Sequence, residues 1–219
     1  MANLLTQNAK MKASSTGGYV VYNWTLPAVV TCPSRGTCET GCYATQGAYV
    51  WPVVRAAHQR NLDLTKTSEF VQTMITEVTR RFLRVTGDRT LVVRIHDAGD
   101  FYSLAYTRKW LKIVDAFKDV ERIRFYAYTK QVKLWQVLAV PINLTLIYSE
   151  GGLHDRLVDT SCERHSRVFS SREELLEAGY ADSSEDDLVA ALGTNHRVGL
   201  VYHGHKSRTW VTNQPTQSV

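Results

Sequence analysis

Between residues 91 and 205 the chain repeats one unit: a short run of β-branched and aromatic residues, a polar tip, then apolar residues at helical spacing. Leu91-Val-Val-Arg-Ile95 ends in His96-Asp-Ala-Gly-Asp100 and leads to a helix over 104–117, with Ser103 as its amino-terminal cap. Ile123-Arg-Phe-Tyr-Ala-Tyr128 ends in Thr129-Lys130 before a helix through Trp135 and Leu138. Leu144-Thr-Leu-Ile-Tyr148 ends in Ser149-Glu-Gly-Gly152, and Arg167-Val-Phe169 runs through Ser170-Ser171 into a helix over 172–178. Val198-Gly-Leu-Val-Tyr202 ends in His203-Gly-His205, a histidine pair that offers a metal site or a plain surface pair. Strands alternating with helices predict a parallel sheet, because parallel neighbours need a crossover, and right-handed crossovers put the helices outside a sheet that curls. With Tyr19-Val-Val-Tyr-Asn-Trp-Thr-Leu26 as the first strand, about six strands are countable. The expected fold is α/β, a parallel βα barrel of partial or irregular TIM-like form; no Gly-x-Gly-x-x-Gly follows the first strand, which argues against a dinucleotide fold.

The rest of the chain fits one domain over 1–219, with an irregular arm at 1–18 and a polar tail at 206–219. From 47 to 85 the apolar spacing predicts two helices, broken near Thr65-Lys-Thr-Ser-Glu69 with Thr67 or Ser68 as the cap. The acidic stretch 181–187 reads as a loop. A composition of 44% hydrophobic and 21% charged residues supports a sizeable core. No apolar run reaches the length of a bilayer, and the first residues lack the basic and apolar regions of a secretion signal, so a cytoplasmic protein without a membrane is expected.

Three of the four cysteines, Cys32, Cys38 and Cys42, fall in Thr31-Cys-Pro-Ser-Arg-Gly-Thr-Cys-Glu-Thr-Gly-Cys-Tyr-Ala44; the fourth is Cys162. In a reducing compartment such a cluster reads as metal ligands rather than disulfides. Three thiolates from one loop with the fourth far away favour an iron–sulfur cluster of the 4Fe–4S kind, with zinc as the alternative metal. Cys162 decides between a closed cluster and one with an open iron, and it stands just before a strand, nominally away from the other three; a buried free thiol is the plainer reading.

In βα barrels chemistry gathers at the carboxyl ends of the strands. The candidates there are His96, Asp97, Asp100 and Lys130 for acid–base work, and Glu150, Gly151 and Gly152 for holding a cofactor. The plain alternative makes Asp100 a loop cap and His96 a polar core residue. Lys130 and Arg94 are candidates for an anion such as phosphate. The net charge of +5 and a pI near 9.0, with Trp24, Tyr49, Trp51, Tyr126, Tyr128 and Trp135 interleaved, suit a nucleotide or nucleic acid.

Five ordered blocks carry a resemblance: Asn8-Ala-Lys10; Thr31-Cys-Pro33 with Cys42-Tyr-Ala44; Val93-Arg-Ile-His96 with Gly99-Asp-Phe-Tyr102; Phe125-Tyr-Ala-Tyr-Thr-Lys130; and Gly151-Gly-Leu-His-Asp155. Together they resemble the gene 88 protein family of bacteriophages. The resemblance implies a phage or mobile-element protein in the host cytoplasm and makes the clustered cysteines the family's metal site. The cysteine loop is also similar to that of radical S-adenosylmethionine enzymes, implying S-adenosylmethionine as a cofactor, although the cysteine spacing here is wider than theirs. Two readings of function follow: an iron–sulfur protein acting enzymatically on a nucleotide or nucleic acid at the barrel mouth, or a non-catalytic cluster- or zinc-stabilised protein that senses redox state or binds a host factor or nucleic acid.

Overall fold

The computed structural model describes residues 3–202; His203, His205 and the tail at 206–219 lie outside the described residues. Among the described residues seven parallel strands form one sheet: β1 (Tyr19–Asn23), β2 (Thr90–Ile95), β3 (Ile123–Thr129), β4 (Leu144–Ser149), β5 (His165–Phe169), β6 (Ala181–Asp182) and β7 (Arg197–Val201). Their order is β1-β2-β3-β4-β5-β7-β6, and the sheet curls into a half-barrel. The partial parallel βα barrel expected from the repeat is therefore present. The additional strand, β6, is two residues long and lies inside the stretch read as an acidic loop, where no apolar run marks it.

Several of the crossover helices begin where the sequence supplies a start. Pro52 opens α2 (Pro52–Lys66) at a position whose N–H is not needed, and Ser103 Oγ accepts from Tyr106 N–H ahead of α4 (Leu104–Asp115). Between them runs α3 (Phe70–Phe82), preceded by Glu69 rather than by a capping Thr67 or Ser68. The helix through Trp135 is a single turn, α5 (Val132–Trp135), and Ser171 caps α6 (Arg172–Glu177).

The two faces of the sheet bury different material. Leu91, Val93 and Ile95 of β2 point outward into a core with Trp24, Phe70, Met74, Tyr106 and Trp110 from the crossover side. Val92 points inward with Val21, Tyr126, Ile147 and Val198. That inner face is filled by two short helices. The arm expected to be irregular carries α1 (Ala9–Ala13), whose Met11 is buried there, and α7 (Asp187–Leu192) brings Ala190 and Ala191. Although α7 connects β6 to β7, it packs against β3 and β4, so it lies across the hollow of the curl.

The outer edge of β1 is protected by the arm. Thr6 and Asn23 exchange backbone hydrogen bonds, Gln7 Nε2 donates to the Val21 carbonyl, and Val21 N–H donates to Ser15 Oγ. An edge occupied in this way offers no template for a stray strand.

Candidate functional site

The loops at the carboxyl ends of β1 to β4 meet. The cysteine loop lies on the tip of β4: Gly36 and Cys38 N–H both donate to the Gly151 carbonyl, Leu153 N–H donates to the Ser34 carbonyl at 3.0 Å, and Arg35 bridges Gly152. This approach requires Gly36, because a Cβ there would stand 2.9 Å from Gly151 O and the Gly152 carbonyl carbon. The Gly151 and Gly152 amides are themselves occupied, donating to the Asp155 carboxylate at 2.6 and 3.0 Å.

The cysteines do not form the expected centre. Cys32 is partly buried, its thiol pushed up to about 12 by burial and then by Asp100, and Cys38 packs with Val168 against Tyr202. Cys42 precedes a single helical turn, and Cys162 is exposed on the connection into β5, where its thiol lies 3.3 Å from Asp159 Oδ2. Among the described residues no group of three or more His, Cys, Asp or Glu is arranged to hold a metal ion. This finding overturns the iron–sulfur, 4Fe–4S reading on Cys32, Cys38, Cys42 and Cys162, together with the functions built on a cluster or on zinc. The physical reason is placement: Cys38 is taken into an apolar contact, and Cys162 is anchored on its own turn. Nor is Cys162 the buried thiol of the plainer reading.

The acid–base candidates are brought to the same end of the sheet and are heavily engaged. Asp100 is buried; its Oδ1 accepts from Phe101 N–H and Thr129 Oγ1 at 2.7 Å each, and its Oδ2 accepts from Lys130 N–H at 2.9 Å. Burial nevertheless pushes its carboxyl up, against the pull of those donors. Lys130 Nζ donates to Ser149 O, Ser149 Oγ and Glu150 O at 3.0, 2.8 and 2.7 Å, which uses all three ammonium protons. These bonds stitch the ends of β2, β3 and β4 together.

His96 adopts a left-handed backbone, φ 67°, at the end of β2. It lies in the outer core, with its ring 4.6 Å from that of Phe101 and Nε2 2.8 Å from the Tyr106 hydroxyl. Burial, then Arg94, lowers its pKa to about 3, so the imidazole is neutral at pH 7. The tautomer follows from counting protons. Trp24 and Trp110 indole N–H groups both donate to the Tyr106 oxygen, at 3.1 and 2.7 Å, leaving its one proton for His96 Nε2 and placing the imidazole proton on Nδ1.

Asp97 turns the other way, toward the rim. Tyr49 Oη donates to its Oδ2 at 2.5 Å, Asn8 Nδ2 donates to the same oxygen, and Tyr43 Oη donates to its carbonyl. Behind it is a buried ion cluster that sequence reasoning missed. Arg94 Nη1 is 2.9 Å from Asp187 Oδ2 and 3.6 Å from Asp97 Oδ1; Lys10 Nζ is 2.6 Å from Asp187 Oδ1; Tyr126 Oη donates to Asp187 at 2.6 Å. Burial acts to raise the Asp187 pKa, but Arg94 and Lys10 outweigh it and hold the carboxyl below its usual range. The anion facing Arg94 is thus the chain's own carboxylate. The only sequence signal is Asp186 capping a short apolar run, 188–192.

Tyr43 and Tyr49 join this network to an exposed platform. From Tyr43 to Val53 the chain presents Tyr43, Val50, Trp51 and Val53, exposed by 41, 47, 60 and 71%. Of the fifteen residues of α2 only Leu62 and Thr65 are buried, so its first half projects into solvent. Arg55 and Arg60 are exposed on it and form no salt bridge among the described residues. The rings of Tyr43 and Tyr49 are 5.6 Å apart, and those of Tyr49 and His58 6.0 Å.

Fold and site together define a parallel βα half-barrel whose hollow is filled and whose mouth is closed by a cysteine-bearing loop. A sequence profile of the family described as Gene product 88 matches residues 2–217, and the chain belongs to that family. Gene 88 protein of Mycobacterium phage D29 is 27% identical over 209 residues, covering 84% of this chain and 83% of its own length. No solved structure matches the chain. No helix among the described residues is long and apolar enough to cross a membrane.

Proposed function

We propose that this protein binds single-stranded nucleic acid on the platform of Tyr43, Trp51 and the first half of α2. The observation that carries the reading is Trp51, exposed by 60% at the start of a projecting helix, whereas Trp24, Trp110 and Trp135 are buried. A solvent-facing indole loses contact with water when a base stacks on it, and every base has a face to offer. Arg55 and Arg60, which form no salt bridge among the described residues, supply positive charge for the phosphates beside it. The charge of the whole chain is divided in the same sense. Residues 1–140 hold nineteen Lys or Arg against ten Asp or Glu, and residues 141–202 hold five against eleven. The strands from β1 to β3 and their helices therefore attract a polyanion, while β5 to β7 repel one. A filled inner face also favours binding on the rim over chemistry in a chamber.

Titration with an oligothymidylate at low salt, read by tryptophan fluorescence, tests this. Quenching with an affinity that falls steeply as salt rises is expected. Trp51→Ala should weaken binding by about tenfold to a hundredfold, the range for losing one stacked base. Arg55→Ala with Arg60→Ala should flatten the salt dependence by about two phosphate contacts. Undetectable binding by the wild type, or unchanged binding by Trp51→Ala, sinks the proposal.

A further inference from the structure

Glu150, Tyr180 and His165 form a chain of contacts, apart from the platform, that is one proton short. His165 Nδ1 lies 2.9 Å from the Glu163 carbonyl, which only accepts, so Nδ1 carries a proton. Its Nε2 lies 3.1 Å from the Tyr180 hydroxyl, and that hydroxyl lies 3.4 Å from Glu150 Oε1. With a neutral imidazole and an ionised carboxylate, Tyr180 stands between two acceptors with one hydrogen to give. One contact is then unmade in a partly buried place, where an unmade hydrogen bond is costly.

A single added proton completes the chain in either of two ways. Placed on Glu150, it is donated to the Tyr180 oxygen while Tyr180 donates to Nε2. Placed on the imidazole, it is donated to the same oxygen while Tyr180 donates to the carboxylate. Because both placements satisfy every contact, the proton belongs to the trio rather than to one residue. We propose that Glu150, Tyr180 and His165 bind one proton as a unit, and that this proton fastens the corner between α6 and β6, and so the outermost strand of the sheet, to β4 and β5.

The surroundings supply both signs of charge. Arg167 Nε lies 3.9 Å from Glu150 Oε2 and favours the ionised carboxyl, as does Lys130, while Asp155 opposes it. Burial is the largest influence and pushes the Glu150 carboxyl up. His165 faces His196, at 5.9 Å between rings, and Arg197; burial, offset in part by the Glu163 carbonyl, lowers its pKa. Tyr180 faces Arg167 and Arg197 besides Glu150. Burial thus moves the Glu150 carboxyl up and the His165 imidazole down, toward each other; a proton bound more tightly by the folded trio than by the unfolded chain stabilises the corner below its transition, and that stability is lost as pH rises through it.

The test is amide hydrogen exchange at Tyr180 and Ser183, whose N–H groups donate to the Leu175 and Gly199 carbonyls, corrected for the intrinsic pH dependence of exchange, between about pH 8 and about pH 5. Wild-type protection should rise about tenfold as pH falls. Glu150→Gln, whose amide donates to Tyr180 at every pH, should hold the higher protection throughout. Tyr180→Phe should hold the lower protection throughout, with circular dichroism showing both variants folded. A wild type without a transition, or a transition that persists in either variant, overturns the proposal.

Discussion

The outer and inner faces of the sheet are equally buried but held by different physics. Outside, Trp24, Phe70, Tyr106 and Trp110 meet at ring separations of 5.7 to 6.4 Å, and apart from the hydrogen bonds that converge on the Tyr106 hydroxyl their contacts are a matter of volume. Inside, Arg94, Lys10 and Tyr126 surround the Asp187 carboxylate, with Met11, Ala190 and Ala191 as filler. Each ion there is tolerable only while its partner stays. The inner arrangement also joins distant parts of the chain, since Asp187 N–H donates to Ser14 Oγ across 173 positions. One face therefore depends on shape, and the other on pairing and on closure between α1 and α7.

That difference can be broken at its strongest point. Asp187→Ala strands Arg94 and Lys10 and should cost about 3–5 kcal/mol in denaturant unfolding, the cost of removing one partner of a buried pair. Trp110→Ala should lose about 3–5 kcal/mol by cavity formation on the outer face. The two separate by their pH profiles. The folded pKa of Asp187 is depressed, so its stabilisation is present above the ordinary value of 3.8 and is lost as pH falls below it. Trp110→Ala should lower the whole profile without reshaping that acid limb; matching acid limbs in the two variants would show that the faces do not differ as described.

His96 is the exception within the outer face and gives the next effect. Its folded pKa of about 3 lies below the ordinary 6.5, so the unfolded chain takes up a proton first. Stability should therefore fall as pH drops from about 6.5 toward 3, by up to several kcal/mol. His96→Gln should flatten that interval, and an unaltered slope would mean the imidazole is not held neutral. A smaller effect belongs to the mouth: Gly36→Ala forces apart the cysteine loop and the β4 tip and should cost about 1–3 kcal/mol. Least of all, Trp51→Ala should change stability by no more than about 0.5 kcal/mol, because its ring already faces solvent.

The outer face was legible in the sequence because its residues announce themselves locally. Apolar spacing gave α2, α3 and α4, Ser103 marked a helix start, and strand–tip–helix repetition gave the parallel sheet. The inner face was not, since a buried Arg or Asp has the same letter as a solvated one, and Lys10, Arg94 and Asp187 meet only after folding. For the same reason the stretch that carries α1 predicts only an irregular arm, and α7, six residues long, is too short for its apolar spacing to mark a helix. At the mouth, the sequence correctly brought His96, Asp97, Asp100, Lys130 and Glu150 to one end of the sheet. It did not reveal how fully Asp100 and Lys130 are used in holding strands together, and the grouping of cysteines along the chain did not translate into a ligand set in space.

Nuclear magnetic resonance of the isotope-labelled protein titrated with an oligothymidylate at low salt tests the central claim most directly. Binding at the rim predicts that shift changes concentrate on Tyr43, the Trp51 indole, Arg55 and Arg60 and spare β5, β6 and β7. Changes centred on the acidic strands, or none at saturating oligonucleotide, would contradict it.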